Sequence, residues 1–315
     1  MEKIRLGISS CLLGERVRYD GGHKLDHYLK DTLGEFVEWV AVCPEVESGL
    51  PVPREAMRLR GSPGAARLVT VRSGIDHTDR IRQWAEKRLR DIEKENLCGF
   101  IFKSGSPSSG LRGVRVYSSP GVPSRSGTGI FAKTFMERFP LLPVEDEGRL
   151  QAPLLRENFI ERVFVYRRWL QLMKRRCLLG DLVDFHTAHK LLVLSHSPSH
   201  CRTLGGMVAN AKKYHRENLH REYLHALMDG LRLIATTKKN TNVLQHIIGY
   251  FKKNLSPGEK RELGQIIEDY HGGLIPLIAP VTLINHYVRK YDERYLKTQY
   301  YLKPHPIELM LRNHA

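Results

Sequence analysis

The chain has 315 residues, 41% of them hydrophobic, which is enough to bury the cores of roughly two domains. No run approaches the ~18 consecutive apolar residues of a membrane span, so no membrane partner is expected. Five scattered cysteines (11, 43, 98, 177 and 201) argue against a disulfide framework and for reduced thiols or metal ligands.

Residues 1–5 lack the apolar region of a signal peptide, and the expected location is the cytoplasm. The net charge of +16 is uneven: residues 1–150 hold 24 Lys+Arg against 20 Asp+Glu, whereas residues 151–315 hold 26 against 14. A basic second half implies a polyanionic partner, nucleic acid before membrane. The plainer alternative is a soluble basic protein with no such partner.

Residues 4–8 read as a short strand that ends in Ser9-Ser10-Cys11-Leu12-Leu13-Gly14, and a turn follows at Asp20-Gly21-Gly22-His23-Lys24. Residues 25–33 suit a short helix, leading to a strand over 36–42 that stops at Pro44. Just past that strand stand a thiol and a carboxylate, Cys43 and Glu45, in a loop stiffened by Pro44, Pro51 and Pro53. A reaction site is one reading of the pair; a buried free cysteine beside an exposed glutamate is the other. Residues 55–77 read as irregular or hairpin-like, with a small strand over 67–71. Ile81, Trp84, Ala85, Leu89 and Ile92 recur at helical spacing, with Thr78 as a cap. A strand over 97–102 precedes the serine-rich turn 103–110. A helix over 127–139 and a last strand over 141–144 follow.

Strands alternating with helices predict an α/β domain with a Rossmann-like, doubly wound parallel sheet. Ligands of such sheets bind beyond the carboxyl ends of the strands. Three strands here end in loops carrying Cys11, then Cys43 and Glu45, then the serine turn. Parallel strands would bring these loops to one edge, and that convergence favours a site.

Residues 145–157 form a polar connection out of the sheet, which divides the chain into domains at 1–150 and 151–315. Helical patterns then cover 159–173, 181–196, 201–215, 223–237, 241–255, 257–270 and 280–291. Ser197-Pro198, Ser256-Pro257-Gly258 and Gly272-Gly273 read as breaks between them. With no repeat of fixed period, a compact all-α domain is expected rather than a solenoid.

Several motifs of the first half resemble the thiouracil desulfidase (TudS) family. They are Ser10-Cys11-Leu12-Leu13-Gly14 with Arg18-Tyr19-Asp20-Gly21-Gly22-His23-Lys24, Cys43-Pro44-Glu45 with Gly49-Leu50-Pro51-Val52-Pro53-Arg54, and Lys103 with Ser106-Pro107-Ser108. The second half is similar to the helical YbgA-type domain through Asp184-Phe185-His186-Thr187-Ala188-His189-Lys190, His196-Ser197-Pro198 and Leu244-Gln245-His246-Ile247-Ile248-Gly249-Tyr250-Phe251. Such fusions resemble the RudS-type desulfidases, which remove sulfur from 4-thiouridine in tRNA.

The resemblance implies a [4Fe–4S] cluster held by three cysteines, with one iron open to the substrate sulfur and no redox turnover. Cys11 and Cys43 match two of those ligands. The third belongs in a turn whose family form is Ser-Pro-Ser-Cys-Gly, and here that position is Ser109, a far poorer ligand. Glu45 is the candidate acid/base, and Ser106 and Ser108 are candidates for pyrimidine binding or proton transfer. The plainer reading of both serines is that they shape a tight turn. Cys98 sits near the wrong end of its strand to replace the missing ligand.

In the basic half, Lys212, Lys213, Lys238 and Lys239 are candidate phosphate contacts, as are Lys174-Arg175-Arg176 and Lys252-Lys253. Tyr214, Tyr250 and Tyr300 could stack on bases, although core packing is the default. His186, His189, His196 and His200 have spacings that allow metal ligation, with polar or RNA contacts as the plainer reading. Two rival functions remain: a desulfidase for free thiouracil or other thionucleobases whose second domain serves oligomerisation, and an RNA-binding protein that has lost its cluster through Ser109.

Overall fold

The computed structural model describes residues 3–118, 122–175 and 177–314. The chain divides into two compact units, Met1–Ala152 and Pro153–Ala315. In the first, β1 (Ile4–Ser9), β2 (Val37–Val42), β5 (Phe100–Phe102) and β8 (Val144–Asp146) form a parallel sheet in the order β2-β1-β5-β8. β1, β2 and β5 are short and rich in Val, Ile, Leu or Phe, the composition of strands buried on both faces, whereas the edge strand β8 is Val144-Glu145-Asp146. Close packing at the centre requires a glycine, because a Cβ on Gly7 would stand 2.0 Å from the Phe100 ring. Helix α2 (Thr78–Lys94) turns Ile81, Ala85, Leu89 and Ile92 inward. It packs on α3 (Ile130–Arg138), whose Phe131 and Phe135 meet Phe100 and Phe102.

A second sheet was not expected. Strands β3 (Met57–Arg60), β4 (Arg67–Thr70), β6 (Val114–Tyr117) and β7 (Ser124–Gly127) pair in the order β4-β3-β6-β7, with only β3 and β6 parallel. Residues 55–77 thus hold a true hairpin, and the helix expected over 127–139 starts at Ile130 because Gly127 closes β7. These strands have four residues each, and arginine alternates with apolar residues in β3 and β6. Leu59, Leu68, Val114 and Val116 are buried, while Arg58 lies 5.1 Å over the Tyr117 ring. So short an alternation is hard to separate from a polar loop.

The second unit is helical: α4 (Pro153–Met173), α5 (Leu179–His196), α6 (Pro198–Ala209), α7 (Arg216–Arg232), α8 (Thr237–Ile248), α9 (Pro257–His271), α10 (Ile278–Lys290) and the short α11 (Arg294–Lys297). Together with α1 (Pro44–Glu47), α2 and α3 these are the α-helices of the described residues; the short helix expected over 25–33 is a π-helical turn at Tyr28–Thr32. Among the described residues no helix is long and apolar enough to cross a membrane. Ser197-Pro198 starts a helix as well as ending one: Pro198 takes the first helical position, and Ser197 Oγ accepts from the His200 amide. The same logic moves α8 forward to Thr237, capped by Thr236.

A buried polar cluster ties this unit together. Arg312 donates to Glu157 (3.0 Å), Glu161 (2.9 Å) and the Tyr301 carbonyl (2.6 Å), and Glu161 also meets His196 Nε2 at 3.0 Å. Burial, and then the Glu161 charge, push the Glu157 carboxyl up to about 7. Burial also raises Glu161, but the His196 hydrogen bond and Arg312 outweigh it and hold that carboxyl below its usual range. Arg312→Ala should therefore cost about 3–5 kcal/mol, since it removes the one arginine that two buried carboxyl groups share. Chemical denaturation checks this, and a loss no larger than that of an ordinary surface change would show that the carboxylates find other partners.

Candidate active site

β1, β2 and β5 run parallel, so their carboxyl ends meet at one edge, where a cavity of about 360 Å³ opens. Cys11 sits in the tight turn after β1, closed by Gly14 at a φ of 94°. Its carbonyl accepts from the Lys24 amide at 2.9 Å, which folds the 18–24 turn back over the site. Cys43 directly follows β2 and caps α1. The Lys103 amide donates to Ser9 Oγ at 2.9 Å, joining the ends of β5 and β1. Cys11, Cys43, Glu45, Ser106, Ser108 and Ser109 all line this cavity.

The serine turn is held by backbone contacts to the start of α3. The Gly129 amide donates to the Gly110 carbonyl (2.8 Å) and the Phe131 amide to the Ser108 carbonyl (2.9 Å). A Cβ on Gly129 would lie 2.5 Å from the Ser108 backbone, so the approach needs glycine. Within the turn, the Ser109 amide donates to Ser106 Oγ at 3.1 Å, and Ser106 and Ser108 hydroxyls are 3.0 Å apart. Ser108 donates to Glu45 Oε1 at 2.7 Å. Because a carboxylate only accepts, the chain has one direction: Ser106 O–H to Ser108, Ser108 O–H to Glu45.

The other Glu45 oxygen is gripped by Arg54 through Nε (2.8 Å) and Nη2, and Nη2 also donates to the Val17 carbonyl at 2.8 Å. Lys103 pairs with Glu147, which also accepts from the Ser104 amide and hydroxyl. Arg54 stands in one of the matching motifs without an assigned role, and neither its grip on Glu45 nor the pairing of Glu147 with Lys103 was foreseen. A carboxylate nine residues before an arginine, across a proline-stiffened loop, was the available signal.

Burial pushes the Cys11 thiol up to about 11, against the opposing pull of Lys103. Burial also raises Cys43, with the Val46 amide acting against it. Both thiols thus favour the protonated state until a cation displaces the proton, as thiolate ligands require. Ser109 is buried beside them and brings a hydroxyl. A [4Fe–4S] cluster held by three thiolates does not fit this donor set, which is one thiolate short. Cys98 does not line the cavity: its amide pairs with the Arg5 carbonyl at the amino end of β5.

In the helical unit, Lys212, Lys213 and Lys238 are exposed. Lys239 is half-buried, its Nζ donating to the His196 (2.7 Å) and Ile234 (2.9 Å) carbonyls. Lys174, Arg175, Lys252 and Lys253 are exposed, and Arg176 lies outside the described residues. The four histidines are engaged separately: His186 with the Tyr223 hydroxyl, His189 with the Phe185 carbonyl, His196 with Glu161 and His200 with Ser197. Tyr300 packs against Arg168 and His189, and Tyr250 stacks on Tyr295 at 4.9 Å; Tyr214 is exposed.

A parallel sheet with a thiol- and hydroxyl-lined cavity at its strand ends, followed by a basic helical unit, defines a two-domain α/β plus all-α protein. Residues 6–147 match the family described as 2-thiouracil desulfurase, and residues 190–306 match a protein family of unknown function, DUF1722. The chain is 31% identical to YbgA, an uncharacterized protein of Escherichia coli (strain K12), over 50% of its own length and 94% of that protein. It is 34% identical to YbbK of Bacillus subtilis (strain 168), over 33% of its length and 71% of that protein. It also matches a solved structure described as a [4Fe-4S]-dependent thiouracil desulfidase, TudS, at 35% identity, covering 47% of this chain and 94% of that one with a TM-score of 0.39. The chain belongs to the thiouracil desulfidase family through its first unit and to the YbgA-type, DUF1722 family through its second.

Proposed function

We propose that the chain is a tRNA-directed member of the desulfidase family: the helical unit grips tRNA and the sheet unit receives its 4-thiouridine. The reaction replaces the exocyclic sulfur with oxygen. Water adds at the ring carbon, the carbon–sulfur bond breaks, and hydrosulfide leaves. The observation that carries this reading is the convergence of Cys11, Cys43 and the Ser106–Ser108–Glu45 hydrogen-bond chain in one cavity. Glu45 is the group that would take a proton from the attacking water and return it to the ring nitrogen or leaving sulfur. Arg54 holds the Glu45 carboxylate in place, and the serines orient the pyrimidine.

The resident cofactor of this reading is a [4Fe–4S] cluster at Cys11, Cys43 and position 109. Because Ser109 leaves the donor set one thiolate short, desulfidation by the chain as it stands is expected to be weak. The same observation favours a second reading, a thiolated-tRNA-binding protein without turnover. Incubating the full chain anaerobically with thiolated tRNA, and following hydrosulfide release and loss of 4-thiouridine absorbance, separates them. No turnover in either the chain or its Ser109→Cys variant would refute the enzyme reading. Faster turnover of free 2-thiouracil than of tRNA would favour the free-base enzyme.

Binding to tRNA should also weaken steeply with salt, since the excess cations lie in residues 151–315. Each phosphate neutralised contributes roughly −0.7 to −0.9 to the slope of log K against log salt. Fluorescence anisotropy across a salt series checks this, and a flat slope would remove the helical unit as a phosphate platform.

A further inference from the structure

Two concavities adjoin in the helical unit. The larger, about 770 Å³, is lined by α5, α10, α11 and residues 298–303; the smaller, about 440 Å³, by α10 and residues 302–313. Asn285, Arg289, Leu302 and Lys303 line both and so form their common wall. Tyr287 and Val288 are buried, which leaves Arg289 facing outward in the last turn of α10. Tyr301 and Leu302 are buried in the same way and leave Lys303 exposed. Asn285 Nδ2 donates to the Leu302 carbonyl at 3.5 Å, tying the two segments. The Tyr300 amide donates to the Ala188 carbonyl (2.9 Å) and Gln299 to the Thr187 carbonyl (2.8 Å), which fixes this wall onto α5.

The neighbouring cations are already matched. Lys290 pairs with Glu259 at 2.6 Å and Lys297 with Asp292. Among the described residues, no carboxylate pairs with Arg289 or Lys303. We propose that this common wall binds one phosphodiester of an RNA strand, with the nucleosides on either side of that phosphate entering the two concavities. The inference rests on the tRNA reading above and names the surface that would carry it.

Three features favour RNA over another polyanion. Two unmatched cations on a single ridge suit one phosphate between two bulkier groups. Both concavities fall within the ~300–1,000 Å³ range of clefts that take small organic groups. Each also has an apolar wall with exposed atoms and one carboxylate: Ala188 and Tyr300 with Asp184 in the larger, Ile278 and Met310 with Glu308 in the smaller. Apolar walls accept base faces, and a carboxylate accepts from base amino or ribose hydroxyl groups. The phosphate contact would fix register without reading sequence.

The test uses the full chain and unfractionated thiolated tRNA at fixed salt. The double variant Arg289→Glu/Lys303→Glu should weaken binding by roughly tenfold or more and flatten the salt slope by about one. Arg289→Lys/Lys303→Arg, which keeps both charges, should bind within about twofold of the original chain. The double reversal Arg202→Glu/Arg261→Glu, an equal charge change at two exposed positions elsewhere on the unit, should cost far less. Equal losses from the two reversals would overturn a local site in favour of a diffuse charge effect. Undiminished binding by Arg289→Glu/Lys303→Glu, with normal binding by the original chain, would overturn this inference alone. If the original chain does not bind tRNA, the functional reading falls with it. All four exposed positions can change without unfolding the unit, and the thermal transition should stay in place.

Discussion

Ser109→Cys should raise the iron and acid-labile sulfide bound per chain after anaerobic reconstitution, together with broad visible absorption. The chain as it stands should bind little of either. The reason is donor chemistry, since a thiolate is a soft, strongly binding ligand for iron–sulfur clusters and a serine hydroxyl is not. Geometry favours the replacement as well. Ser109 already lines the same cavity as Cys11 and Cys43, and its amide is anchored to Ser106 in a turn pinned to α3. Sulfur for oxygen at that position adds little bulk and leaves the turn's backbone bonds intact. Cys98 offers no rescue, because it is buried at the far end of β5. Near-full and equal occupancy in both forms would refute the ligand assignment and require serine ligation or a different third ligand.

How far the sequence anticipates this site follows from how each part of it is encoded. β1 and β2 are legible because an uninterrupted apolar run ending at a proline or tight turn admits few other readings. Helix α2 is legible because Ile81, Ala85, Leu89 and Ile92 fall on one face, and all four are buried. The meeting of Cys11, Cys43 and the serine turn then follows from parallel strands, without any contact being known. The second sheet is not legible, since four-residue strands carrying arginine at alternate positions look like loop.

The Glu45–Arg54 pair was also missed. Its two members are separated by a loop whose path depends on tertiary contacts, including the Arg54 amide bonded to the Tyr19 carbonyl at 2.8 Å. In the helical unit, net charge is visible in the sequence but the partners of individual cations are not. Lys239 reads like Lys238, yet one is bonded to two carbonyls and the other is exposed. Arg289 and Lys303 carry no motif, and only the fold sets them on one wall.

In the Ser109→Cys background, Glu45→Gln should leave cluster absorption in place and slow desulfidation by ~10²–10⁴-fold, the usual cost of losing an acid/base group. The amide keeps the shape of the carboxylate but cannot take up a proton at these pH values. It also disturbs both contacts that now position Glu45. One end of the side chain becomes an N–H₂ donor, which cannot accept from both Ser108 and Arg54 as the two carboxylate oxygens do. With the amide oxygen toward Arg54, the largely buried guanidinium trades a charged partner for a neutral one and keeps the Val17 and Pro51 carbonyls, while the Ser108 bond must reverse. Some of the loss could therefore come from a displaced Arg54 rather than a missing base. Arg54→Lys separates the two: it retains a cation near Glu45 but loses the two-pronged grip, so it should lower the rate by less than Glu45→Gln does. Single-turnover loss of 4-thiouridine absorbance, measured with tRNA at saturation, keeps RNA affinity out of the comparison. A normal single-turnover rate in Glu45→Gln would exclude Glu45 from proton transfer. A rate in Arg54→Lys as low as in Glu45→Gln would assign the effect to the position of the carboxylate and not to its proton.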